Sequence, residues 1–357
     1  MSTRTQLQLP CGCCFIVPPA VLKALSLRHR VSPRDPKIYQ DSYAETQRLR
    51  YIREGHRMAS VTSRRSIAAA APARPPAEHL FDCGNRMTLP GAPVPDAENG
   101  DEAFSTVFKT TAQVGKFYQE VLGRNSIDNL GMDMVSSLNY GLNFQNAFWN
   151  GQQMVYGNGD QQVFIDFWRS PDVIGHELTH GVTQHESGLR YEGESGALNE
   201  SLSDAFGAAF HQWTQQTPAS DDAGWLIGAG IMGPDSKAQG MTCLRDMVDP
   251  TASHCLSPQP ASYDDFDPTA DVHLNSGIPN KAFALFARAL GGNSYDTATK
   301  VWYAACTGGR LSSTATFADF ARSTVAVADQ WSGADQAAVA DAVRQAWQEV
   351  RVPLATV

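Results

Sequence analysis

The period of the hydrophobic positions changes along the chain, and each change predicts a different kind of element. Apolar side chains at helical spacing predict helices over residues 20–30, 40–53, 112–122, 172–184, 197–214 and much of 280–350. Between residues 80 and 169, short alternating runs separated by turns predict strands, such as 132–138 and 161–167. A chain of 357 residues is too long for one compact core, so we expect at least two domains.

The N-terminal segment of the chain is basic, whereas the remainder is acidic. Residues 1–65 contain twelve Lys or Arg and four Asp or Glu, whereas the remainder contains sixteen and thirty-three, so local charges of +8 and −17 sum to −9. The two parts should attract each other. The arginines alternate with acidic and apolar residues instead of forming one block, so we expect no nucleic acid partner. Residues 56–79 contain several Pro and Ala and predict an exposed, flexible connection.

The cysteines and the N-terminus lead to expectations about the compartment. Seven cysteines are an odd number for a disulfide framework, which favours synthesis in a reducing compartment. No run of eighteen apolar residues occurs, so no membrane partner is expected. Pro10, Pro18 and Pro19 interrupt the N-terminal region, which predicts no secretory signal. We therefore expect synthesis in the cytoplasm and no export by the usual route, with a non-classical route left open.

The most informative stretch reads PDVIGHELTHGVTQ over residues 171–184. His176 and His180 are four residues apart, so a helix places both imidazoles on one face. Glu177 projects beside them at a different angle. Two neutral imidazoles can hold a zinc ion, while a carboxylate that is not a ligand takes a proton from water on the metal. The alternative is a coincidental His pair on a buried helix.

A third candidate ligand follows twenty residues after His180, where Glu200 begins another helical pattern. Three nitrogen or oxygen ligands leave one tetrahedral position of zinc open for water, which is typical of catalytic sites. Asp204 lies one turn further along. It is expected to accept a hydrogen bond from the free nitrogen of a ligating imidazole and so to orient the ring.

These residues resemble the zinc centre of the thermolysin family of metalloendopeptidases, and GHELTHGVTQ resembles its protealysin-like branch. The similarity covers most of residues 80–357. It implies an α+β fold, with a mixed α/β domain containing an antiparallel sheet and the zinc helix over residues 80–183, and a helical domain over 184–357.

The run from Phe15 to Leu22 resembles the short N-terminal prosegment of protealysin-like precursors. The resemblance implies that residues 1–55 cover the cleft until they are removed, and that 56–79 form a processing linker. A cut at Ser66–Ile67 is expected, because such sites prefer a bulky apolar residue after the cut. The alternatives for residues 1–55 are an ordinary helical extension and a nucleic-acid-binding arm.

The resemblance also implies further roles in the site. Glu177 would be the general base, His273 and Tyr191 would contact the transition state, and Asn199 would join Asp204 beside the ligands. Backbone groups of Asn146 and Ala147 would pair with an extended peptide. The remaining matching positions are Arg245, which contacts the substrate carbonyl, and the apolar pocket residues Leu244, Phe164, Phe167, Val173, Ile227 and Ile231.

Two departures from the family pattern carry predictions. Pro268 stands where a carboxylate should orient His273, so Asp267 or Asp271 would have to replace it. Asp172 remains from the calcium cluster, but other carboxylate positions hold His211, Gly224, Leu226 and Ala229. Because calcium needs about six oxygen ligands, we expect weak calcium dependence.

The cysteines near the N-terminus leave two possibilities open. A thiolate of Cys11, Cys13 or Cys14 would occupy zinc's open position in the precursor, or the reduced thiols would simply pack under the prosegment.

Together these features predict a monomeric zinc-dependent endopeptidase precursor that acts on peptides and proteins and binds its own prosegment. The rival hypothesis is a binding protein that is stabilised by zinc but inactive. Glu177 argues against the rival, because a purely structural metal site has no use for a base beside the metal.

Overall fold

The structure is a computed structural model that describes residues 14–27, 35–59, 75–332 and 335–354. Its helices in chain order are α1 Pro19–Leu27, α2 Lys37–Ala59, α3 Glu102–Leu122, α4 Pro171–His185, α5 Gly193–Gln215, α6 Pro234–Ala238, α7 Val272–Asn275, α8 Gly277–Leu290, α9 Thr297–Cys306, α10 Phe317–Asp329 and α11 Gln336–Glu349. The strands are β1 Cys14–Phe15, β2 Glu78–Asp82, β3 Ala92–Pro93, β4 Met134–Leu138, β5 Ala147–Trp149, β6 Met154–Tyr156, β7 Leu226–Ile227 and β8 Arg245–Asp246.

Six of the strands form one mixed sheet in the order β1-β5-β6-β4-β2-β3. The sequence predicted an antiparallel sheet, and the pairs β1-β5, β5-β6 and β2-β3 are antiparallel. The pairs β2-β4 and β4-β6 are parallel instead. Parallel neighbours need a long crossover connection, and α3 lies in the connection between β2 and β4.

Helix α3 has clear signals at both ends. Asp101 accepts hydrogen bonds from the backbone N–H groups of Ala103 and Phe104 at 3.1 and 3.2 Å, and Gly123 ends the helix with φ of 66°. Phe117 contacts the aromatic side chains of α5, with its ring centroid 5.8 Å from that of Phe210. Helix α3 thus joins the sheet to the helical half of the molecule.

The strand predicted over residues 161–167 does not form. Asp160 Oδ1 accepts hydrogen bonds from the backbone N–H groups of Gln162, Val163 and Phe164 at 2.9–3.3 Å, which curls the chain locally. Phe164 makes only an isolated bridge with Met232. A local side-chain interaction therefore overrides the alternating pattern.

The helical half packs around Trp302. Its ring is stacked on Trp347 with centroids 5.6 Å apart and an interplanar angle of 3°, and it contacts Phe283 and Phe286 at 5.3 Å. These rings join helices α8, α9 and α11 into one core. Together the mixed sheet and the helical half confirm the predicted thermolysin-like α+β architecture.

The first two helices pack against this body and share its hydrophobic core. Val21, Leu22 and Leu25 of α1 and Tyr39 of α2 are buried in the same cluster as the side chains of α3, α4 and α5. Among the described residues, no helix is both long and apolar enough to span a bilayer.

Candidate active site

Helices α4 and α5 approach each other closely where the predicted ligands lie. Gly207 of α5 faces the backbone of α4, and a Cβ atom there would lie 2.6 Å from the carbonyl oxygen of Asp172. Only glycine allows this distance. The close crossing brings Glu200 of α5 opposite His176 and His180 of α4.

The three predicted ligands converge as the spacing indicated. His176 Nε2 and His180 Nε2 are 2.9 Å apart, and each lies 3.5 Å from an oxygen of Glu200. All three side chains are buried. Their ligand atoms lie within 4.8 Å of one another, which is a group that could hold one metal ion.

The opposite edges of both imidazoles face oxygen acceptors. His176 Nδ1 lies 2.9 Å from Asp204 Oδ1, and His180 Nδ1 lies 2.8 Å from Asn199 Oδ1. Since these oxygens only accept, each Nδ1 carries the proton and donates it. Each Nε2 then presents a lone pair to the space beside Glu200.

This donor set fits zinc. Two facing lone pairs 2.9 Å apart repel unless a cation or a proton lies between them. Glu200 Oε2 is buried and has no hydrogen-bond partner among the described residues, as expected of an oxygen reserved for a metal. Burial opposes a charge on His176, but Asp204 and Glu200 raise its pKa to about 10. Nitrogen and carboxylate donors are also the ones that zinc prefers in catalytic sites.

Glu177 is placed to act as a base and not as a ligand. Its Oε2 accepts a hydrogen bond from the backbone N–H of Trp149 at 2.7 Å, while its buried Oε1 has no hydrogen-bond partner in the part of the chain that the structure describes. Burial and the nearby Glu200 raise the pKa of Glu177 to about 8, whereas His176 lowers it. A carboxyl group with a raised pKa can accept and return a proton near neutral pH.

Asp204 links the predicted ligand His176 to side chains on two other elements, β8 and α8. Besides His176, it accepts hydrogen bonds from Arg245 Nε and Nη2 at 2.9 and 2.7 Å and from Asn280 Nδ2 at 2.8 Å. Burial opposes its charge, but Arg245 and His176 lower its pKa to about 2. The sequence did not point to Asn280, since it carries no recognisable motif for this role.

His273 lies at the N-terminus of the short helix α7. Its Nδ1 is 2.5 Å from Asp271 Oδ1, so the structure selects Asp271 over Asp267 as the residue that orients the ring. Asp267 instead bonds Thr269. The Tyr191 hydroxyl donates to Glu200 Oε1 and lies 3.2 Å from His273 Nε2. Both groups thus lie next to the metal cluster.

Residues 15–17 lie along the predicted substrate-lining strand. β1 pairs with β5 in antiparallel register, with Phe15 opposite Phe148. The backbone N–H of Ile16 donates to the carbonyl of Ala147 at 3.2 Å. The carbonyl of Ile16 accepts from Arg245 Nη1 at 2.9 Å, and the carbonyl of Phe15 lies 2.5 Å from His273 Nε2.

Asn146 contacts this segment in a way that differs from the prediction. Its side-chain amide, and not its backbone, bonds Val17: Oδ1 accepts from the Val17 N–H at 2.9 Å and Nδ2 donates to the Val17 carbonyl at 3.1 Å. The carbonyl of Asn146 already accepts from the N–H of Gly157. The backbone is thus engaged within the protein, which leaves the amide for the peptide.

The predicted pocket residues are all buried in one cluster. The cluster contains Leu244, Phe164, Phe167, Val173, Ile227 and Ile231 and also Ile16. The rings of Phe164 and Phe167 lie 5.4 Å apart. Gly228 adopts φ of +70°, and a Cβ there would lie 2.9 Å from Leu244 Cδ1. The side chain of Leu244 therefore packs tightly against the backbone at Gly228.

Helix α2 contributes a cation that the sequence did not identify. Arg50 Nη1 donates to Asp271 Oδ2 at 2.7 Å, and Nη2 lies 3.4 Å from His273 Nδ1. The guanidinium also lies 5.7 Å from the ring centroid of Tyr191. The basic charge of the first segment indicated the sign of this contact but not its position.

The positions that hold calcium ligands in the family pattern make other contacts in this structure. Asp172 Oδ2 accepts from the N–H of Gly228 at 2.6 Å. Gln212 Nε2 donates to the carbonyl of Gly224 at 2.9 Å, and Ser294 donates to Gln212 Oε1 at 2.6 Å. Among the described residues, no group of possible metal ligands includes Asp172.

Of the N-terminal cysteines, Cys14 is buried in β1 opposite Trp149. Cys11 and Cys13 lie outside the described residues, as does the predicted cut at Ser66–Ile67. Those predictions therefore stay open.

The fold and the metal cluster define a metallopeptidase, and family models agree. The model of the thermolysin metallopeptidase catalytic domain matches residues 95–184, and that of its α-helical domain matches 187–352. The chain belongs to the thermolysin family and is a zinc metalloendopeptidase. The predicted enzyme class is confirmed, which removes the rival of an inactive binding protein.

Individual relatives place it more narrowly, in the protealysin-like branch. It is 36% identical to the precursor of protealysin, a metalloproteinase from Serratia proteamaculans, with a TM-score of 0.79 and coverage of 95% of this chain and 100% of that one. An extracellular metalloprotease of Pectobacterium carotovorum subsp. carotovorum is 35% identical over 95% of this chain and 96% of its own. Protease PrtS of a Photorhabdus species is 38% identical over 76% of each chain.

These relatives correct the expected localisation. The prediction of a chain that is made in the cytoplasm and not exported by the usual route is wrong, because the Pectobacterium relative is named an extracellular metalloprotease.

Proposed function

We propose that the chain is a latent precursor of a zinc endopeptidase, in which the prosegment, residues 1–55, blocks the cleft until it is removed. The observation that carries this proposal is the path of residues 15–17. Phe15 pairs with β5 as part of strand β1, and the N–H and C=O groups of Ile16 and Val17 bond the cleft. An extended substrate needs the same edge, so it cannot bind while these residues are in place.

The register of residues 15–17 supports a preference for a bulky apolar residue after the cut. Ile16 is held through its main chain by Ala147 and Arg245, and its side chain is buried in the main hydrophobic core, which also includes the predicted pocket residues. The carbonyl that precedes Ile16 contacts His273. A substrate bound in this register would place an apolar side chain in the pocket and its scissile carbonyl beside His273.

The proposed mechanism assigns each side chain a step. His176, His180 and Glu200 would hold zinc, which supplies Lewis-acid polarisation of the scissile carbonyl and of a water molecule. Glu177 takes a proton from that water and passes it to the leaving amine. His273 and Tyr191 donate hydrogen bonds to the oxygen that gains negative charge. Arg245 holds the next carbonyl, while Asp204 and Asn199 fix the imidazoles.

The chain organisation follows from this proposal. Residues 1–55 act as prosegment, 56–79 as processing linker with the cut at Ser66–Ile67, 80–183 as the α/β domain and 184–357 as the helical domain. We also propose a monomer whose partners are its own prosegment and peptide or protein substrates.

Casein digestion by the full chain, before and after brief trypsin treatment, tests the proposal. Residues 56–79 contain Arg57, Arg64 and Arg65, where trypsin can cut. Activity should be low at first, should rise when the prosegment is cut away, and should vanish with a zinc chelator. Equal activity before and after cutting would disprove latency. Cleavage of model peptides without an apolar residue after the cut would disprove the proposed preference.

We also propose that stability depends little on calcium. The support is that His211, Gly224, Leu226 and Ala229 stand where the family pattern has carboxylates, and that Asp172 bonds the N–H of Gly228. Thermal unfolding with and without a calcium-selective chelator checks this, and the two unfolding temperatures should agree to within about 2 °C, since loss of a strong site would shift them further.

A further inference from the structure

Two cysteines outside the active site face each other next to the cleft wall. Cys243 and Cys255 are buried, and their Sγ atoms lie 3.6 Å apart. The two residues form an isolated parallel bridge. Cys243 directly precedes Leu244 and Arg245, so the pair lies at the base of the strand that contacts both Asp204 and Ile16.

Backbone hydrogen bonds on both sides hold this pair in register. The N–H of Thr242 donates to the carbonyl of His254, and the N–H of Leu256 donates to the carbonyl of Cys243, both at 2.9 Å. Bridged backbones lie about 4.8 Å apart. That spacing falls within the range of about 4.4–6.8 Å between Cα atoms that a disulfide requires. Side-chain rotation alone can therefore bring the sulfurs into bonding distance.

We propose that Cys243 and Cys255 are a disulfide site that closes when the protein meets a disulfide oxidant, such as oxidised glutathione. One thiol loses its proton and attacks the oxidant's disulfide, which releases one thiolate. The second cysteine then attacks this mixed disulfide and releases the other. The protein loses two protons and two electrons, and the oxidant is reduced to two thiols. The shared hydrogen bond lowers the pKa of Cys255, which favours Cys255 as the first thiolate.

A metal ion is the alternative occupant, because Cys243, His254 and Cys255 offer ligand atoms within 4.8 Å of one another. The set is incomplete for a structural zinc site, which needs four ligands. His254 is also engaged elsewhere: its side chain is 39% exposed and its Nε2 lies 3.3 Å from Asp246 Oδ2. Two buried sulfurs without a full ligand shell favour the covalent bond.

The disulfide would brace the cleft wall. It would tie the strand that carries Arg245 to the segment 254–257, whose Ser257 N–H already bonds the Leu244 carbonyl at 2.9 Å. Closing this loop restricts the unfolded chain and stabilises the fold. This effect does not depend on catalysis, so it can be tested in the Glu177→Gln variant, which cannot digest itself.

Peptide mapping provides the decisive test. The full-length Glu177→Gln chain is treated with oxidised glutathione, alkylated in denaturant without reductant, and cut with trypsin. Arg245 separates the two cysteines into the peptides 238–245 and 246–281. We expect these peptides to be joined and to separate on reduction. Full alkylation of both cysteines, pairing of either one with another cysteine, or a second equivalent of bound zinc that protects both thiols would overturn the proposal.

Thermal unfolding gives an independent readout. A phosphine reductant should lower the unfolding temperature of the oxidised chain by several degrees. The Cys243→Ser/Cys255→Ser variant should show no such difference. Cys306→Ser is the matched control, because Cys306 is also buried but its thiol bonds the carbonyl of Tyr303, so this variant should keep the full shift. A shift that persists without Cys243 and Cys255 would contradict the proposal.

Discussion

The metal cluster and the cleft edge are both buried, but different parts of the chain hold them. His176 and His180 are oriented by Asn199 and Asp204, which lie on the neighbouring helix. The cleft edge at β5 is covered by residues 15–17. Val17 forms hydrogen bonds there with Asn146, which lies more than a hundred residues away in sequence. The cluster is thus assembled within the catalytic body, whereas the edge is closed by a segment from outside it.

Under the proposed function, the metal cluster carries out catalysis and the covering segment determines latency. Removing the prosegment should leave the ligands and Glu177 in place, because their hydrogen bonds come from α5, β5 and Tyr191. It should expose Asn146, Ala147 and Arg245, whose bonds to residues 16 and 17 would be lost. Changes in the cluster should therefore reduce catalysis, and changes in the prosegment should alter latency.

The largest effect is expected from Glu177→Gln. The amide keeps the shape of the side chain but cannot accept the proton of water, so activity after removal of the prosegment should fall by roughly 10²–10⁴-fold. Zinc content should not change. Digestion of casein and metal analysis of the same sample check both points. Glu120→Gln, which removes an exposed carboxylate 3.7 Å from Lys116, is the control and should keep full activity.

Asp204→Asn should weaken zinc binding through the ligand His176, although Asp204 is not itself a predicted ligand. The variant loses the charge that faces His176 and leaves Arg245 without its ion pair, so zinc affinity or activity should fall by roughly 10–100-fold. Competition with a coloured chelator measures the affinity.

Asp172→Asn is the matched comparison, because Asp172 is a buried carboxylate like Asp204 but lies on α4 and bonds Gly228 instead of a ligand. This variant can lose stability but should bind zinc as tightly as the parent. Equal zinc affinity in both variants would show that Asp204 does not act through His176.

The same division describes what the sequence could predict. Helical geometry predicted that His176 and His180 share one face and that Asp204 lies one turn from Glu200. That the second helix meets the first at this point does not follow from spacing and was implied by the family resemblance. Contacts made by docking were not predictable in this way. Arg50 reaches Asp271 across 221 residues and Asn280 reaches Asp204 across 76.

Fold prediction had the same limit. The helices follow from their periodicity, and the mixed α+β organisation follows from the resemblance. The parallel strand pairs depend on how α3 crosses between β2 and β4, and the failed strand at 161–167 depends on the side chain of Asp160. Neither feature is encoded in a pattern of apolar positions.

A smaller effect is expected from Arg50→Met. This variant tests how tightly the prosegment binds over the cleft, and not how the metal is bound. The methionine keeps the apolar stem but loses the hydrogen bond to Asp271, so binding of the prosegment should weaken by roughly tenfold, as for loss of a partly exposed charged hydrogen bond. The untreated precursor should then digest casein faster than the parent.

Arg48→Met is the control for this change. Arg48 also lies on α2, but its ion pair with Glu45 stays within that helix and its side chain is 54% exposed. Precursor activity should remain low in this variant. A rise as large as that of Arg50→Met would assign the effect to general loosening of α2.

The smallest effect concerns pH. Burial opposes the charge of Glu45, but hydrogen bonds from Arg48 and Tyr140 lower its pKa below the ordinary value of 4.5. A lowered folded-state pKa means that the stabilisation is present above pH 4.5 and is lost as pH falls through the folded value. Because Tyr140 belongs to the catalytic body and donates to Glu45 at 2.8 Å, mild acid should loosen the docking of α2.

Hydrogen exchange of α2 in the full-length Glu177→Gln chain, compared with the same chain carrying Glu45→Gln, measures this effect. At pH 7 the parent should be better protected than the variant, and the difference should shrink as pH falls below 4.5. Both proteins lose bound metal alike in acid, so only their difference reports on Glu45. A constant difference across this range would show that the charge of the Glu45 carboxylate does not contribute to the docking of α2. Binding of the prosegment over the cleft would then depend on Arg50 and on the strand contacts of residues 15–17.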